Sequence, residues 1–455
     1  MNKSLSQRFA MPLIALLYTT TITIAYIYVV SPTYFHAGMA TQQIPAFLYI
    51  IQFALAMFPA FWLPLELDRP SDFQVILLYV VVVVPSIIIG FHIITPTLYI
   101  DYSIFLLILV LCIIGLSRVS SLSYIHIRGI RINRVFLWIF IIVFTLITYI
   151  FVIRIFGMPG SVLELKNVYK LRTQVKRILA EVPVIIRYMI WTQGIVINPL
   201  LQMIGLIRQN YFLIAMGIVL QIILFSITSL KSFVISVPFV FLIWLLAFKV
   251  KKNRGLVFIS IISVMVIISS VLCSFLKPPV STAIFFFLQR WLCVPGHLSG
   301  AYFDFFSQND YVFFGNSILK GIVPYAFGQM SPAEVIGSQY AAFGSRIIPN
   351  ATAHIWADGF ANLGYSGLFI VTFLGAIILW IVDSIYRDFD LRVRVLLFSM
   401  VALSFTGEGL QTCLVTGGIV QVMILGIVSS RLLPVPDAKN GPSRRRKPHG
   451  GKEKP

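Results

Sequence analysis

Twelve apolar stretches, most of them close to the length of a membrane crossing, constrain the fold of this chain more than any other feature. Crossing about 30 Å of hydrocarbon takes roughly 20 helical residues. Such segments must be helices, because lipid offers no water to satisfy backbone polar groups. The chain is therefore predicted to be an all-α, polytopic membrane protein of about 12 transmembrane helices. The stretches cover residues 10–30, 44–65, 74–94, 102–118, 135–156, 183–206, 211–228, 232–250, 256–276, 363–383, 395–408 and 412–430.

The composition supports this class. Hydrophobic residues make up 58% of the chain and charged residues 11%, whereas soluble domains hold roughly 45–50% and 25%. The net charge of +19 is spread in short basic runs between apolar stretches, which is typical of membrane topology. The pattern therefore does not favour nucleic acid as a partner. The four cysteines form no CxxC pair and no metal-ligand spacing, so neither a metal nor a cofactor is expected.

The distribution of Lys and Arg predicts the orientation. Most of them fall in the loops that share a side with the N-terminus, which by the positive-inside rule is the cytoplasm. An even number of spans places both termini there, and no cleavable signal peptide is evident. We expect a multi-pass protein of the bacterial inner membrane. Residues 1–433 form the integral domain, and residues 434–455 form a basic disordered cytoplasmic tail.

Two segments on the opposite, periplasmic side are longer than ordinary connections. They cover about residues 157–187 and 277–362. The second, at roughly 85 residues, far exceeds the usual length of a connection between helices. Both enlarged periplasmic loops are therefore predicted to be functional elements.

The first of these segments is strongly basic. On a helix, Tyr169, Arg172 and Lys176 would share one face, and Arg187 follows close behind. Guanidinium groups bind phosphate bidentately, so this face suits a phosphate-bearing lipid. The alternative interpretation is an amphipathic helix that rests on lipid headgroups.

The second segment opens with the aromatic-rich sequence FFFLQRWLCVPGHLSGAYFDFF, which contains Arg290, His297 and Asp304. Aromatic residues at this density fit either an interfacial belt or a groove in which rings stack on sugars. Pro295 and Gly296 are expected to break a helix between Arg290 and His297.

Further polar candidates follow. The stretch before the tenth span contains Arg346, Asn350, His354 and Asp358, of which the last two are spaced i, i+4. Lys231 and Glu408 lie near the ends of spans, where a charged residue suggests function unless it reaches the interface. No GxGxxG, GxxxxGK[ST], HExxH or GxSxG motif occurs.

The ordered set of motifs resembles the O-antigen or oligosaccharide repeat-unit polymerases (the Wzy type). It comprises YKLR at 169–172, SLKSFVISVPFVFL from 229, QRWLCVPGHLSGAYFDFF at 289–306 and PNATAHIWADGFANLGYSG at 349–367. The resemblance covers roughly residues 160–370. The family often has Arg where Lys231 stands.

The resemblance implies a GT-C-type membrane glycosyltransferase without a nucleotide-sugar donor. Its donor and acceptor would be undecaprenyl-pyrophosphate-linked oligosaccharides, joined on the periplasmic side, with a polysaccharide chain-length regulator as a partner. We hypothesise that Arg172, Arg290 and Arg346, with Lys231, bind the pyrophosphates. Tyr169, Lys176, Arg187, Asn350 and His354 complete the predicted substrate-binding set. A base for the acceptor hydroxyl would be one of His297, His354, Asp304, Asp358 or Glu408.

Two other functions remain open from the sequence. An O-antigen ligase would use the same donor but would transfer glycan to lipid A-core. A flippase of lipid-linked oligosaccharides would also have about twelve spans, but it would place its cations in a cavity among the helices.

Overall fold

A computed structural model describes residues 5–35, 38–130, 132–157, 181–228, 230–276, 287–339 and 350–428, together with positions 178 and 284. The chain is 78% helical, and the described residues form no strand. Ten helices within these ranges are long and apolar enough to cross a membrane. The prediction of an all-α polytopic membrane protein is therefore confirmed.

The helices are numbered in chain order. Those long enough to cross a membrane are α1 (Phe9–Tyr34), α3 (Pro70–His92), α4 (Pro96–Ser121), α5 (Arg134–Phe156), α6 (Val184–Arg208), α7 (Tyr211–Thr228), α8 (Ser232–Lys249), α9 (Arg254–Phe275), α12 (Ile355–Ile385) and α14 (Leu410–Val428). The shorter helices are α2 (Ala46–Phe61), α10 (Phe287–Cys293 continued by Val294–Phe306), α11 (Pro332–Gln339) and α13 (Leu391–Ala402).

Ten of the twelve predicted stretches correspond to these long helices. The stretch predicted at 44–65 forms the shorter apolar helix α2. The stretch predicted at 395–408 forms α13 and the 3-10 turn Leu403–Thr406. Most of α13 is buried against α3 and α8, so it is an internal element of the bundle.

The two ends of the bundle are named here after the first and last residues of α3, the Pro70 end and the His92 end. Tyr18 of α1 donates a hydrogen bond to the carbonyl of Val80, and Tyr26 stacks on His92. Helices α1 and α3 therefore run in the same direction. At the other terminus, Gly426 of α14 packs on Tyr386, and Asp383 close by accepts hydrogen bonds from Ser71. Both described ends of the chain thus lie at the Pro70 end.

Four π-helical turns occur in the described residues, and each is followed by a proline at the second residue of the next α-helical stretch. The turns are Tyr26–Val30, Tyr79–Val83, Gln193–Ile197 and Phe287–Cys293, and the prolines are Pro32, Pro85, Pro199 and Pro295. A proline has no N–H, and its ring clashes with the carbonyl of the preceding helical turn. The wider π turn accommodates the ring without ending the helix.

Each of two such turns leaves a carbonyl that a neighbouring helix satisfies. In the second turn, Val84 N–H donates to Tyr79 O, so the next carbonyl, Val80, faces Pro85 and receives Tyr18 OH at 2.8 Å. In the third, Asn198 N–H donates to Gln193 O. The carbonyl of Gly194 then faces Pro199 and receives Gln221 Nε2 at 2.7 Å. Since lipid provides no donor, these side chains make the bulged helices compatible with a membrane.

Helix α10 lies within the bundle, which corrects the interpretation of residues 277–362 as one outer loop. Its first turn, Phe287–Cys293, packs against Tyr79–Val83 in the middle of α3. Farther on, a Cβ on Gly300 would lie 3.0 Å from Gly90 O, and Asp304 Oδ1 accepts Thr95 N–H at 2.6 Å. Helix α10 therefore starts half-way along α3 and rises beside it to the His92 end.

Helix α12 is a hairpin of two helical arms, 355–362 and 365–385. The chain reverses at Leu363 and Gly364, where Gly364 has φ +62° and ψ −145°, a conformation open only to glycine. Trp356 Nε1 donates to Thr372 Oγ1 at 2.8 Å, although these residues would be roughly 24 Å apart along a straight helix. The short arm therefore begins inside the bundle and runs outward to the His92 end.

Candidate functional site

The start of the short arm lies at the centre of a buried polar cluster. His354 precedes the arm, and its Nε2 is 2.7 Å from Ser299 Oγ on α10. Ser86 on α3 donates to the same Ser299 oxygen at 2.8 Å. Ser86, Ser299 and His354 are fully buried. This chain of hydrogen bonds joins three elements that are far apart in sequence.

The hydrogen bonds of His354 identify its tautomer. Its Nδ1 accepts the backbone N–H of Ala357 at 3.3 Å and so caps the helix. A neutral imidazole that accepts at Nδ1 carries its proton on Nε2, and that proton is donated to Ser299. His354 is therefore arranged here as a cap and a donor, and it is not arranged as a base that activates the Ser299 hydroxyl.

Two carboxyl groups lie near this cluster. Asp358 is in the first turn of the short arm, and its carboxylate packs against Gly409, where an added Cβ would lie 2.5 Å from Asp358 Oδ2. Glu408 precedes Gly409 in the turn between Thr406 and Leu410. Its Oε2 is buried and has no hydrogen-bond partner in the described part of the chain. The turn that carries Glu408 thus contacts the arm that carries the i, i+4 pair.

The surroundings of Glu408 determine its proton affinity. Burial raises the pKa of Glu408 to about 7, because a low-dielectric environment disfavours the charged form. A carboxyl group with a pKa near neutrality can both accept and release a proton under physiological conditions. This environment is the kind in which functional carboxyl groups are found.

Arg290 and His297 both lie on α10, and the expected helix break between them is wrong. The π turn Phe287–Cys293 makes room for Pro295, so the helix continues to Phe306. Arg290 is exposed and His297 is buried, so the two side chains face different ways. Because a π turn contains one extra residue, the seven residues from Arg290 to His297 turn the helix through less than two full turns.

Asp304 and Asn350 mark the edges of the site. Asp304 accepts the backbone N–H of Thr95, just before α4. This hydrogen bond links α10 to the α3–α4 connection at the His92 end. Asn350 is exposed. Next to it, the carbonyl of Ala351 accepts a hydrogen bond from Tyr302 OH at 3.0 Å. This bond links the segment before α12 to α10.

Arg187 and Lys231 lie on a separate group of helices. Arg187 is in the first turns of α6, and its Nε is buried without a hydrogen-bond partner among the described residues. Lys231 begins the helix Lys231–Lys249, and its side chain lies outside the description. The predicted substrate-binding residues Tyr169, Arg172, Lys176 and Arg346 also lie outside the described residues.

The sequence analysis missed a buried amide network among α5, α6, α7 and α8. Gln193 Nε2 donates to Asn198 Oδ1, and Asn198 Nδ2 donates to Gln221 Oε1, at 2.7 and 2.8 Å. Gln221 Nε2 continues to Ser236 Oγ at 2.8 Å, and Asn198 also donates to Tyr149 OH. Such bonds hold helices together where lipid gives no hydrophobic driving force. The only sequence signal was the presence of amides inside apolar stretches.

The described residues do not bring together three or more His, Cys, Asp and Glu side chains that could hold a metal ion. Ser86, Ser299 and Gly409 belong to no motif, and only the folded chain relates them to His354 and Asp358. No family model, characterised protein or solved structure matches this chain.

Proposed function

We propose that this protein polymerises oligosaccharide repeat units carried on undecaprenyl pyrophosphate. The observation that carries the proposal is the placement of His354 and Asp358 on the arm that contacts the turn of Glu408. The first two belong to the motif stretch that resembles repeat-unit polymerases. The described residues form helices and no strand, which is compatible with a membrane glycosyltransferase that uses lipid-linked donors.

The chemistry of such a reaction fits the residues present. The acceptor hydroxyl attacks the anomeric carbon of the donor glycan, and the bond from that carbon to the pyrophosphate breaks. Pyrophosphate is a good leaving group, so cations that stabilise its developing charge matter more than a strong acid. Arg290, which is exposed in the first turn of α10, is proposed as one such cation, together with Arg172, Arg346 and Lys231.

The proposed orientation places the Pro70 end in the cytoplasm and the site on the periplasmic side. The ends of α6, α8 and α9 at the Pro70 end carry Arg208, Lys249 and Arg254. A concentration of basic residues on one side is what the positive-inside rule associates with the cytoplasm. Both described chain ends lie on that side.

The test compares the surface polysaccharide of the host strain with that of a strain lacking the gene. We expect loss of the ladder on a gel, with one repeat unit still attached to the lipid A-core, and restoration by the wild-type gene. Arg290→Ala should fail to restore the ladder. Arg118→Ala, which removes an exposed arginine at the Pro70 end, is the matched control and should restore it.

Other outcomes contradict the proposal in distinct ways. Loss of all core-attached glycan, with lipid-linked polymer accumulating, would indicate a ligase. Single lipid-linked units trapped on the cytoplasmic side would indicate a flippase. An unchanged ladder would exclude this polysaccharide as the product.

A further inference from the structure

The turn that carries Glu408 combines a buried acceptor atom with access from outside. Gly407, Glu408 and Gly409 are all partly exposed, yet Glu408 Oε2 itself is buried and has no hydrogen-bond partner among the described residues. A buried carboxylate oxygen without a donor costs free energy. An atom of this kind at the edge of a bundle is suited to receive a hydroxyl from a bound molecule.

The other candidate bases are held by hydrogen bonds or enclosed by the surrounding helices. His354 donates through Nε2 to Ser299 and accepts through Nδ1, so neither nitrogen offers a lone pair. Asp304 Oδ1 accepts the Thr95 backbone N–H at 2.6 Å. His297 is 4% exposed, within the packing of α10. Among the carboxyl groups of the five candidate bases, Glu408 is the one with a buried oxygen that lacks a hydrogen-bond partner among the described residues, on a residue that is itself partly exposed.

Asp358 is held at a defined place against Gly409, the residue that follows Glu408 in the chain. Its carboxylate touches the Cα side of Gly409, and any larger residue at position 409 would displace it, since a Cβ would come within 2.5 Å of Oδ2. Gly409 has φ −64° and ψ 154°, which any residue can adopt. Glycine is therefore required here by space and not by backbone conformation.

We infer that Glu408 is the catalytic base that takes the proton of the acceptor sugar hydroxyl, and that Asp358 binds a second hydroxyl of the same sugar. This assignment rests on the polymerase function proposed above. Gly409 is then a positioning residue, because it leaves the space in which the Asp358 carboxylate lies against the turn of Glu408.

The step balances without a metal or a redox partner. The acceptor oxygen forms a bond to the anomeric carbon of the donor glycan. The bond from that carbon to the pyrophosphate oxygen breaks, and its electron pair leaves with undecaprenyl pyrophosphate. The hydroxyl proton passes to Glu408, which releases it to water before the next cycle.

The test uses full-length variants in the strain that lacks the gene, together with polymerisation rates in membranes supplied with lipid-linked repeat units. Glu408→Gln keeps the shape of the side chain and removes its basicity. We expect its rate to fall by about 100-fold or more, the usual contribution of a general base. Asp358→Asn should mainly raise the KM for the acceptor.

The two glycines that flank Glu408 form a matched pair. Gly409→Ala should displace Asp358 and raise the acceptor KM in the same direction as Asp358→Asn. Gly407→Ala is the control, because no atom lies within 4 Å of a Cβ at that position, and it should polymerise like the wild type. Thermal midpoints and amounts of each variant in the membrane show whether it has folded.

The outcomes separate this assignment from the function on which it rests. A folded Glu408→Gln variant that polymerises at the wild-type rate would overturn the base assignment while leaving a polymerase. Equal effects of Gly407→Ala and Gly409→Ala would overturn the role of Asp358. A ladder that does not change when the gene is deleted would instead contradict the polymerase function itself.

Discussion

Gln221 on α7 donates a hydrogen bond of 2.7 Å to the backbone carbonyl of Gly194 on α6, a carbonyl that Pro199 cannot satisfy. The same amide group reaches Ser236 on α8. The Gln221 side chain therefore links α6, α7 and α8, and it satisfies the carbonyl that the proline in α6 leaves without a donor. This arrangement lets the amide network contribute to the stability of α6, α7 and α8.

Gln221→Leu should destabilise the protein. The change leaves the Gly194 carbonyl and other network groups unsatisfied, and each such group costs about 1–3 kcal/mol. Denaturation in detergent micelles measures the change in the free energy of unfolding. Ser226→Ala on the same helix is the control, because its exposed hydroxyl donates to the carbonyl of Ile222 on its own helix and to no other helix in the part of the chain that the structure describes. Equal stability of the two variants would contradict a structural role for the network.

Tyr18→Phe should have a comparable effect at the second proline bulge. The hydroxyl is the donor to Val80 O, and its loss exposes a backbone carbonyl to an apolar interior at a cost of about 1–3 kcal/mol. Tyr28→Phe on the same helix removes the hydroxyl of a side chain that is 74% exposed and should be neutral. The thermal midpoints of the two purified variants provide the comparison.

Gly364→Ala should open the α12 hairpin. The backbone there has φ +62°, and holding a non-glycine residue in such a conformation costs about 1–3 kcal/mol. The new Cβ would also lie 2.9 Å from the Tyr311 ring. Gly375→Ala on the long arm meets no atom within 4 Å and should gain about 0.5–1 kcal/mol of helix stability. Limited proteolysis and unfolding free energies distinguish the two variants.

The stability of the wild-type protein should depend on pH through Glu408. Its pKa is about 7 in the folded protein against an ordinary value of 4.5, so the folded state holds a proton that the unfolded chain has released. The associated stability is complete below about pH 4.5 and is lost as the pH rises through about 7. The Gln variant lacks this dependence. Its thermal midpoint relative to the wild type should therefore rise between pH 5 and pH 8, and a constant difference would contradict a buried protonated Glu408.

The sequence predicted the helices well because lipid leaves few alternatives to a helix of about 20 apolar residues. It predicted α10 poorly, because Pro295 and Gly296 next to each other usually indicate the end of a helix. The π turn that accommodates Pro295 depends on packing against α3, which no local pattern records.

The candidate site was predicted in part. His354, Asp358 and Glu408 were recognised as candidates, and the fold brings the turn of Glu408 against Asp358. Ser299 and Gly409 could not be recognised, because a serine or glycine acquires its importance from a partner far along the chain. The roles of Arg172, Arg290 and Arg346 remain predictions.

The π turn in α10 absorbs one residue of the chain without turning the helix that follows it. A helix that lost one residue between Phe287 and Cys293 would revert to ordinary α-helical winding. Because the lost residue is the extra one of the π turn, His297 and Ser299 would keep the faces that they present to the bundle. The ring of Pro295 would lose the wider turn that accommodates it and would clash with a carbonyl of the preceding turn. A single-codon deletion there would therefore act like a proline placed inside an ordinary helix, at a cost of about 3 kcal/mol.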